Sequence, residues 1–347
     1  MNNDFNLDAD TNPKICPLCH VCAKTSFFKG GNVCDHLFTL LLTDPAFQAS
    51  VINIPWVNAH GAGRGLSQVD TPIREFRCFG INRMKIHRNI TFKRLLLDLY
   101  QDFRCQKPVV RLLGRPFQRS RRHIEMDLTY RCNLKCQNCN RSCTQAPSNL
   151  EISLHEIDSF IRQSLDMNIK WERIRLLGGE PTLHSCFSDI LDRLLEYRSE
   201  HNPTLRLVVC TNGCGKRVNR ILSRIPETVV IKNTFKNSQQ RLFRPFNMAP
   251  LDRARFALMD QTAGCRILKD CGIGLTPLGY YPCAIAGGID RIFGHHFSRR
   301  NLPNPKDEML DQLSLFCRYC GHFGFAWPTR KIRISPAWER AYRKVMT

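Results

Sequence analysis

The sequence predicts an α/β protein: a parallel sheet wound strand, helix, strand, helix, with a small cysteine-rich hairpin extension behind it and a basic region ahead of it. Three observations carry this. From His123 onward, short β-branched or leucine-rich runs alternate with stretches of helical apolar spacing. A cysteine, glycine or asparagine motif follows each of the first three runs. Two further cysteine pairs come from separate segments of the last third.

The chain has 347 residues, enough for a substantial core and two or three modules. Hydrophobic content of 43% with 23% charged residues is that of a globular protein, not a disordered one. The net charge of +21 favours anionic partners without choosing among nucleic acid, anionic lipid and phosphorylated substrate. The opening Met1-Asn2-Asn3-Asp4-Phe5 is polar, so no export signal is expected. Eighteen cysteines in a reducing, cytoplasmic compartment point to metals rather than disulfides. No apolar run reaches the ~20 residues that span a bilayer.

Residues 1–70 form a cysteine-containing arm. Cys16, Cys19 and Cys22 have the spacing C-x2-C-x2-C, with Cys34 and His36 further on. That set suits an iron–sulfur cluster or zinc, and equally suits unliganded cysteines in a poorly ordered arm. The glycine-rich stretch 57–72 reads as linker. Residues 71–122 form a basic helical region, with fourteen Lys or Arg between Arg74 and Arg122 against Glu75, Asp98 and Asp102. Residues 91–100 have helical apolar spacing with basic residues opposite. Such a helix either lies on an anionic membrane surface or polyanion, peripherally, or docks on the sheet with a solvated basic face.

The sheet region occupies 123–264. Strand 124–130 leads into Cys132-Asn133-Leu134-Lys135-Cys136-Gln137-Asn138-Cys139, a C-x3-C-x2-C loop. Ser153 and Glu156 form a capping box that opens a helix to about Met167. Strand 173–177 ends at Gly178-Gly179-Glu180, helix 186–198 follows, and strand 205–210 ends at Thr211-Asn212-Gly213. A helix near 216–224 and a fourth strand at 228–231, before Asn233 and Thr234, complete the clear part. This order gives right-handed βαβ units, whose active sites gather at the strands' C-terminal ends. Three thiolates in one loop can hold three irons of a [4Fe-4S] cube and leave the fourth open to a small molecule.

On these motifs the chain resembles the radical S-adenosylmethionine (SAM) enzymes over about residues 123–325. The resemblance implies a partial (β/α) radical SAM barrel, usually of six strands, so two strands are expected to be hidden in 235–265 or missing. It implies Cys132, Cys136 and Cys139 as ligands of a [4Fe-4S] cluster. It implies Gly178, Gly179 and Glu180 as the motif that meets the amino group of SAM, a cation that a carboxylate pairs with and hydrogen-bonds. Asn212, Asn233 and Thr234 fall where the family reaches the ribose or carboxylate of SAM. Asn138 stands where the family commonly has an aromatic residue. The implied reaction is reductive cleavage of SAM to methionine and a 5′-deoxyadenosyl radical that abstracts hydrogen from a substrate. An electron donor such as a flavodoxin or ferredoxin is implied with it.

Residues 265–325 carry the second cysteine set. Cys271 and Cys283 flank a hairpin turning at Pro277-Leu278-Gly279, and Cys317 and Cys320 form a C-x2-C pair after the helical stretch 307–316. Two such pairs suit a closed four-thiolate site for one [4Fe-4S] cluster or a structural zinc, with Cys265 as a substitute or additional ligand. The hairpin resembles the SPASM or "twitch" extensions of radical SAM enzymes, which carry auxiliary [4Fe-4S] clusters. A basic tail, 326–347, closes the chain. The expected function is therefore a radical SAM enzyme with an auxiliary cluster, acting on an unknown substrate. A peptide or protein suits the extension, with 245–250 as part of the substrate wall; a nucleic acid or lipid-linked anionic substrate suits the charge. The competing class is a zinc-bearing, basic nucleic-acid-binding protein.

Overall fold

A computed structural model describes residues 92–234, 245–324 and 333–346. Cys16, Cys19, Cys22, Cys34 and the glycine-rich stretch lie outside these residues. The strands are β1 (His123–Thr129), β2 (Arg173–Gly178), β3 (Arg206–Thr211), β4 (Val230–Asn233), β5 (Ile273–Thr276) and β6 (Gly279–Tyr281). They form one six-stranded sheet in the order β4-β3-β2-β1-β5-β6. Every pairing is parallel except β5 with β6.

The sheet is open, and it differs from the expectation in where its last two strands come from. The two further strands come from the hairpin: β5 adds in parallel to the free edge of β1, pairing Glu125 with Gly274. Gly274 is required there, because a Cβ would sit 2.2 Å from the Ala284 backbone nitrogen. The described part of 235–265 holds only short 3-10 turns, Pro250–Asp252, Ala254–Phe256 and Gln261–Ala263. The hairpin is thus part of the main sheet.

The helices are α1 (Phe92–Arg104), α2 (Lys107–Leu113), α3 (Leu154–Asp166), α4 (Phe187–His201), α5 (Lys216–Leu222), α6 (Arg266–Cys271), α7 (Ala284–Phe293), α8 (Leu310–Phe316) and α9 (Pro336–Met346). The capping box forms: Ser153 N–H donates to Glu156 Oε2 at 2.7 Å, and Glu156 N–H donates to Ser153 Oγ at 3.2 Å. Alternation along β1 divides the sheet's faces. Ile124, Met126 and Leu128 join the core with Ile157 and Phe160 of α3 and Leu194 of α4. Glu125, Asp127 and Thr129 take the opposite face and are buried too. A row of acids inside a fold needs partners, and Arg141 and Arg175 supply them.

Among the described residues of the basic region, some side chains are bound into the fold while Arg111, Arg121 and Arg122 are exposed. In α1, Asp98, Gln101 and Arg104 are buried, while Leu99 and Phe103 face outward, Phe103 at 58% exposure. Arg119 is buried and donates to the carbonyls of Asn304, Pro305 and Asp307, the last at 2.7 Å. Arg115 pairs with Glu308 at 3.1 Å. Among the described residues, no helix is long and apolar enough to cross a membrane.

Candidate functional site

The C-terminal ends of β1, β2 and β3 converge on the C-x3-C-x2-C loop, and the end of β4 packs against that of β3. The β2 end continues its pairing past the strand: Gly179 N–H donates to Thr129 O at 2.7 Å and Glu180 N–H to Arg131 O at 2.8 Å. A Cβ on Gly178 would lie 2.4 Å from Thr129 O, and one on Gly179 2.2 Å from Arg131 O. The two glycines thus let the double-glycine turn press against the backbone that launches the cysteine loop. Gly179→Ala meets backbone, which cannot rotate away, so it should cost about 1–3 kcal/mol. Urea unfolding would check this. A midpoint equal to wild type would mean that the turn yields.

Glu180 is fully buried. Its Oε1 accepts from Thr182 Oγ1 at 2.8 Å and Thr211 Oγ1 at 2.9 Å, and its Oε2 accepts from Asn212 N–H at 2.8 Å. Burial raises its carboxyl above the usual carboxylate range. The carboxylate therefore ties the end of β2 to the end of β3, and its contacts are to the chain's own donors. Asn212 extends the tie: Nδ2 donates to Asn133 Oδ1 at 2.9 Å and lies 3.9 Å from Cys132 Sγ, while Oδ1 accepts from Cys214 N–H at 2.8 Å. Asn133 Nδ2 returns to Cys214 O at 2.6 Å. The partnership of Asn133 with Cys214 crosses 81 residues, so no local spacing in the sequence signals it. Asn233 is buried beneath Gly213, where a Cβ would meet its amide at 2.2 Å. Thr234 donates from both N–H and Oγ1 to Thr211 O, each at 3.0 Å. The structure thus gathers Gly178, Gly179, Glu180, Asn212, Asn233 and Thr234 at one end of the sheet.

The thiols of Cys132, Cys136 and Cys139 are half-buried. Burial pushes the Cys132 thiol up to about 11, with Cys139, Cys136 and Glu180 as neighbouring charges in the same direction. Leu134 N–H points at Cys132 Sγ at 3.5 Å. Cys143 is buried and hydrogen-bonds with Cys139. Just past the loop, Arg141 is fixed on Asp127, with Nε–Oδ2 at 3.1 Å, and reaches Glu125 Oε2 at 3.5 Å. Asn138 Oδ1 accepts from Phe246 N–H at 2.7 Å, which anchors the loop just before Cys139.

The second cysteine set closes around an apolar pocket lined by Cys265, Cys283, Cys317 and Cys320 together with Leu268 and Phe316. Burial raises the thiols of Cys283 and Cys317, and Cys265 and Cys320 are charge neighbours of both. The structure does not bring Cys271 there. Cys271 receives Arg175 Nη1 at 3.4 Å and faces Glu125 on the sheet. The reason is helical geometry. Cys265 is the extended N-cap of α6 and Cys271 its last residue, so the two leave from opposite ends of the helix and about 120° apart around its axis. Among the described residues, no group of three His, Cys, Asp or Glu is drawn together tightly enough for a single metal ion.

No family model matches the chain. It is 30% identical over 148 residues to a GTP 3′,8-cyclase of Nautilia profundicola, which covers 38% of this chain and 45% of that protein. It is 31% identical over 100 residues to a GTP 3′,8-cyclase of Campylobacter jejuni subsp. doylei, covering 28% of this chain and 29% of that protein. The chain thus spans less than half the length of these curated relatives. The crystal structure of BtrN in complex with AdoMet and 2-DOIA aligns with 62% of this chain and 98% of that one, at 14% identity and a TM-score of 0.36. The sequence similarity to these cyclases supports the resemblance to the radical SAM superfamily.

Proposed function

We propose that this chain is a radical SAM enzyme in which Cys132, Cys136 and Cys139 hold a [4Fe-4S] cluster. The observation that carries the reading is the convergence of the β1, β2 and β3 ends on a three-thiol loop, with the Asn212 amide 3.9 Å from Cys132. The donor set fits: three thiols from one short loop, backed by a backbone N–H directed at sulfur. When bound, the cluster and SAM supply the reductive cleavage that yields a 5′-deoxyadenosyl radical. The chain's own residues organise the place where this occurs. Glu180 holds Thr182, Thr211 and the Asn212 backbone, so its role is to position the β3 end. Asn212 and Asn133 form a hydrogen-bonded pair beside Cys132, at the rim where SAM would bind. Gly178 and Gly179 bring that rim within backbone distance of the loop. Incubating the reconstituted, reduced protein with SAM should give methionine and 5′-deoxyadenosine in equal amounts. SAM left intact under conditions that reduce the cluster would refute the assignment.

The pocket of Cys265, Cys283, Cys317 and Cys320 fits a second, auxiliary [4Fe-4S] cluster. Its donors are all sulfur and its other lining is apolar, which suits a soft, dry site. Cys265 replaces Cys271 as the fourth ligand. Cys265→Ala should therefore lower the iron content by up to about four per chain while Cys271→Ala leaves it unchanged. The reverse pattern would restore Cys271 to the site.

The substrate of such an enzyme is a peptide or protein, or an anionic nucleotide-like or lipid-linked molecule. The net charge of +21 and the similarity to proteins named GTP 3′,8-cyclase favour the anionic class. A flavodoxin- or ferredoxin-like donor would deliver the electron.

A further inference from the structure

The two cysteine sets are joined by α7. Its N-cap is Cys283, which lines the four-cysteine pocket. Its last turn carries Arg291, whose guanidinium donates to Ala146 O and Arg141 O at 2.8 Å each, and to Ser142 O at 3.3 Å. The same guanidinium lies 4.6 Å above the Tyr130 ring, the residue that links β1 to the loop. Ten residues of helix separate the two ends by about 15 Å.

Arg291 therefore closes the segment 141–146, whose carbonyls have turned away from regular structure, and Cys143 lies inside that clamp. The middle of α7 packs against the segment just after the loop: a Cβ at Gly288 would be in ordinary contact, 3.4 Å, with Asn140 O and the Arg141 Cα. A second link runs from the other side. Asn138 is bonded to Phe246 N–H, and Phe246 O accepts from Gly321 N–H at 2.9 Å, next to Cys320. Residues on both sides of Cys139 are thus fastened to elements that carry the second set.

We propose that Arg291 is a positioning residue through which the four-cysteine pocket holds the three-cysteine loop ready for its ligand, so that loading of the two sulfur sets is coupled. The coupling rests on the proposed reading of both sets as cluster sites; the clamp itself does not. A guanidinium fork can serve three carbonyls at once, whereas an ammonium on a flexible stem serves them less completely.

The metal-free chain gives the first test, by iodoacetamide labelling and mass spectrometry. Arg291→Ala should speed labelling of buried Cys143 about tenfold, equivalent to about 1.4 kcal/mol of easier local opening. Cys132, Cys136 and Cys139 should follow, Cys186 and Cys210 should not, and Arg291→Lys should recover part of the protection. Unchanged Cys143 labelling in Arg291→Ala, or equal acceleration at all sites, would overturn the positioning role. Should Arg291→Ala fail to fold, intermediate protection in Arg291→Lys supports the role, and wild-type protection overturns it.

The second test reconstitutes Cys317→Ser/Cys320→Ser with iron and sulfide. Coupling predicts fewer than about four irons per chain and a weakened EPR signal from the three-cysteine site. Four irons with a wild-type signal would overturn coupling. If wild type itself takes up no iron, the cluster reading fails and coupling with it, while the labelling still decides what Arg291 does.

Discussion

Replacing Cys132, Cys136 and Cys139 together with alanine should abolish 5′-deoxyadenosine formation and remove about four irons per chain. The effect is all-or-none because the three thiols come from a single loop, and no other described cysteine is placed to take over the set. Cys143 hydrogen-bonds with Cys139 but is buried in the segment clamped by Arg291. Coupling between the two sets predicts a partial further loss from the pocket of Cys265, Cys283, Cys317 and Cys320. The fold should survive, since the half-buried triad contributes little to the core around Ile124, Phe160 and Leu194. Iron analysis beside a product assay checks this. Product formation persisting in the triple variant would place the chemistry elsewhere.

The second large effect is expected at Glu180. Glu180→Ala would leave the hydroxyls of Thr182 and Thr211 and the Asn212 N–H without an acceptor in a fully buried site. Each unsatisfied buried donor costs about 1–3 kcal/mol, so a total of about 3–5 kcal/mol follows after partial relaxation. Glu180→Gln keeps one acceptor oxygen but turns a donor towards a donor, and should fall between. The readout is the urea midpoint at constant slope. A Glu180→Ala chain as stable as wild type but unable to bind SAM would give the carboxylate a direct ligand role instead.

Much of the sheet region can be read from sequence because its signals are local. Period-two alternation locates β1, the capping box opens α3, and the three motifs mark three strand ends. What escaped is non-local. The position of β5 beside β1 depends on a four-residue strand and on Gly274, which alone permits the close approach of Ala284. Spacing along the chain cannot show which edge a hairpin will join. The choice between Cys265 and Cys271 turns on where the two ends of α6 lie, since Cys265 is its N-cap and Cys271 its last residue. Two of the three donors to Glu180, Thr211 and Asn212, come from the end of β3, so the motif by itself does not reveal this tie between strand ends. In α1, helical periodicity indicates an amphipathic helix but not which face docks; the interior receives Asp98, Gln101 and Arg104.

The most direct measurement is the metal content of the anaerobically reconstituted full chain, with EPR of its reduced form before and after adding SAM. Two cubes predict about eight irons and negligible zinc, with a signal that SAM perturbs; about twelve irons would add a cluster at Cys16, Cys19, Cys22 and Cys34. Zinc in place of iron, with no response to SAM, would contradict the account and leave a basic zinc protein that binds nucleic acid.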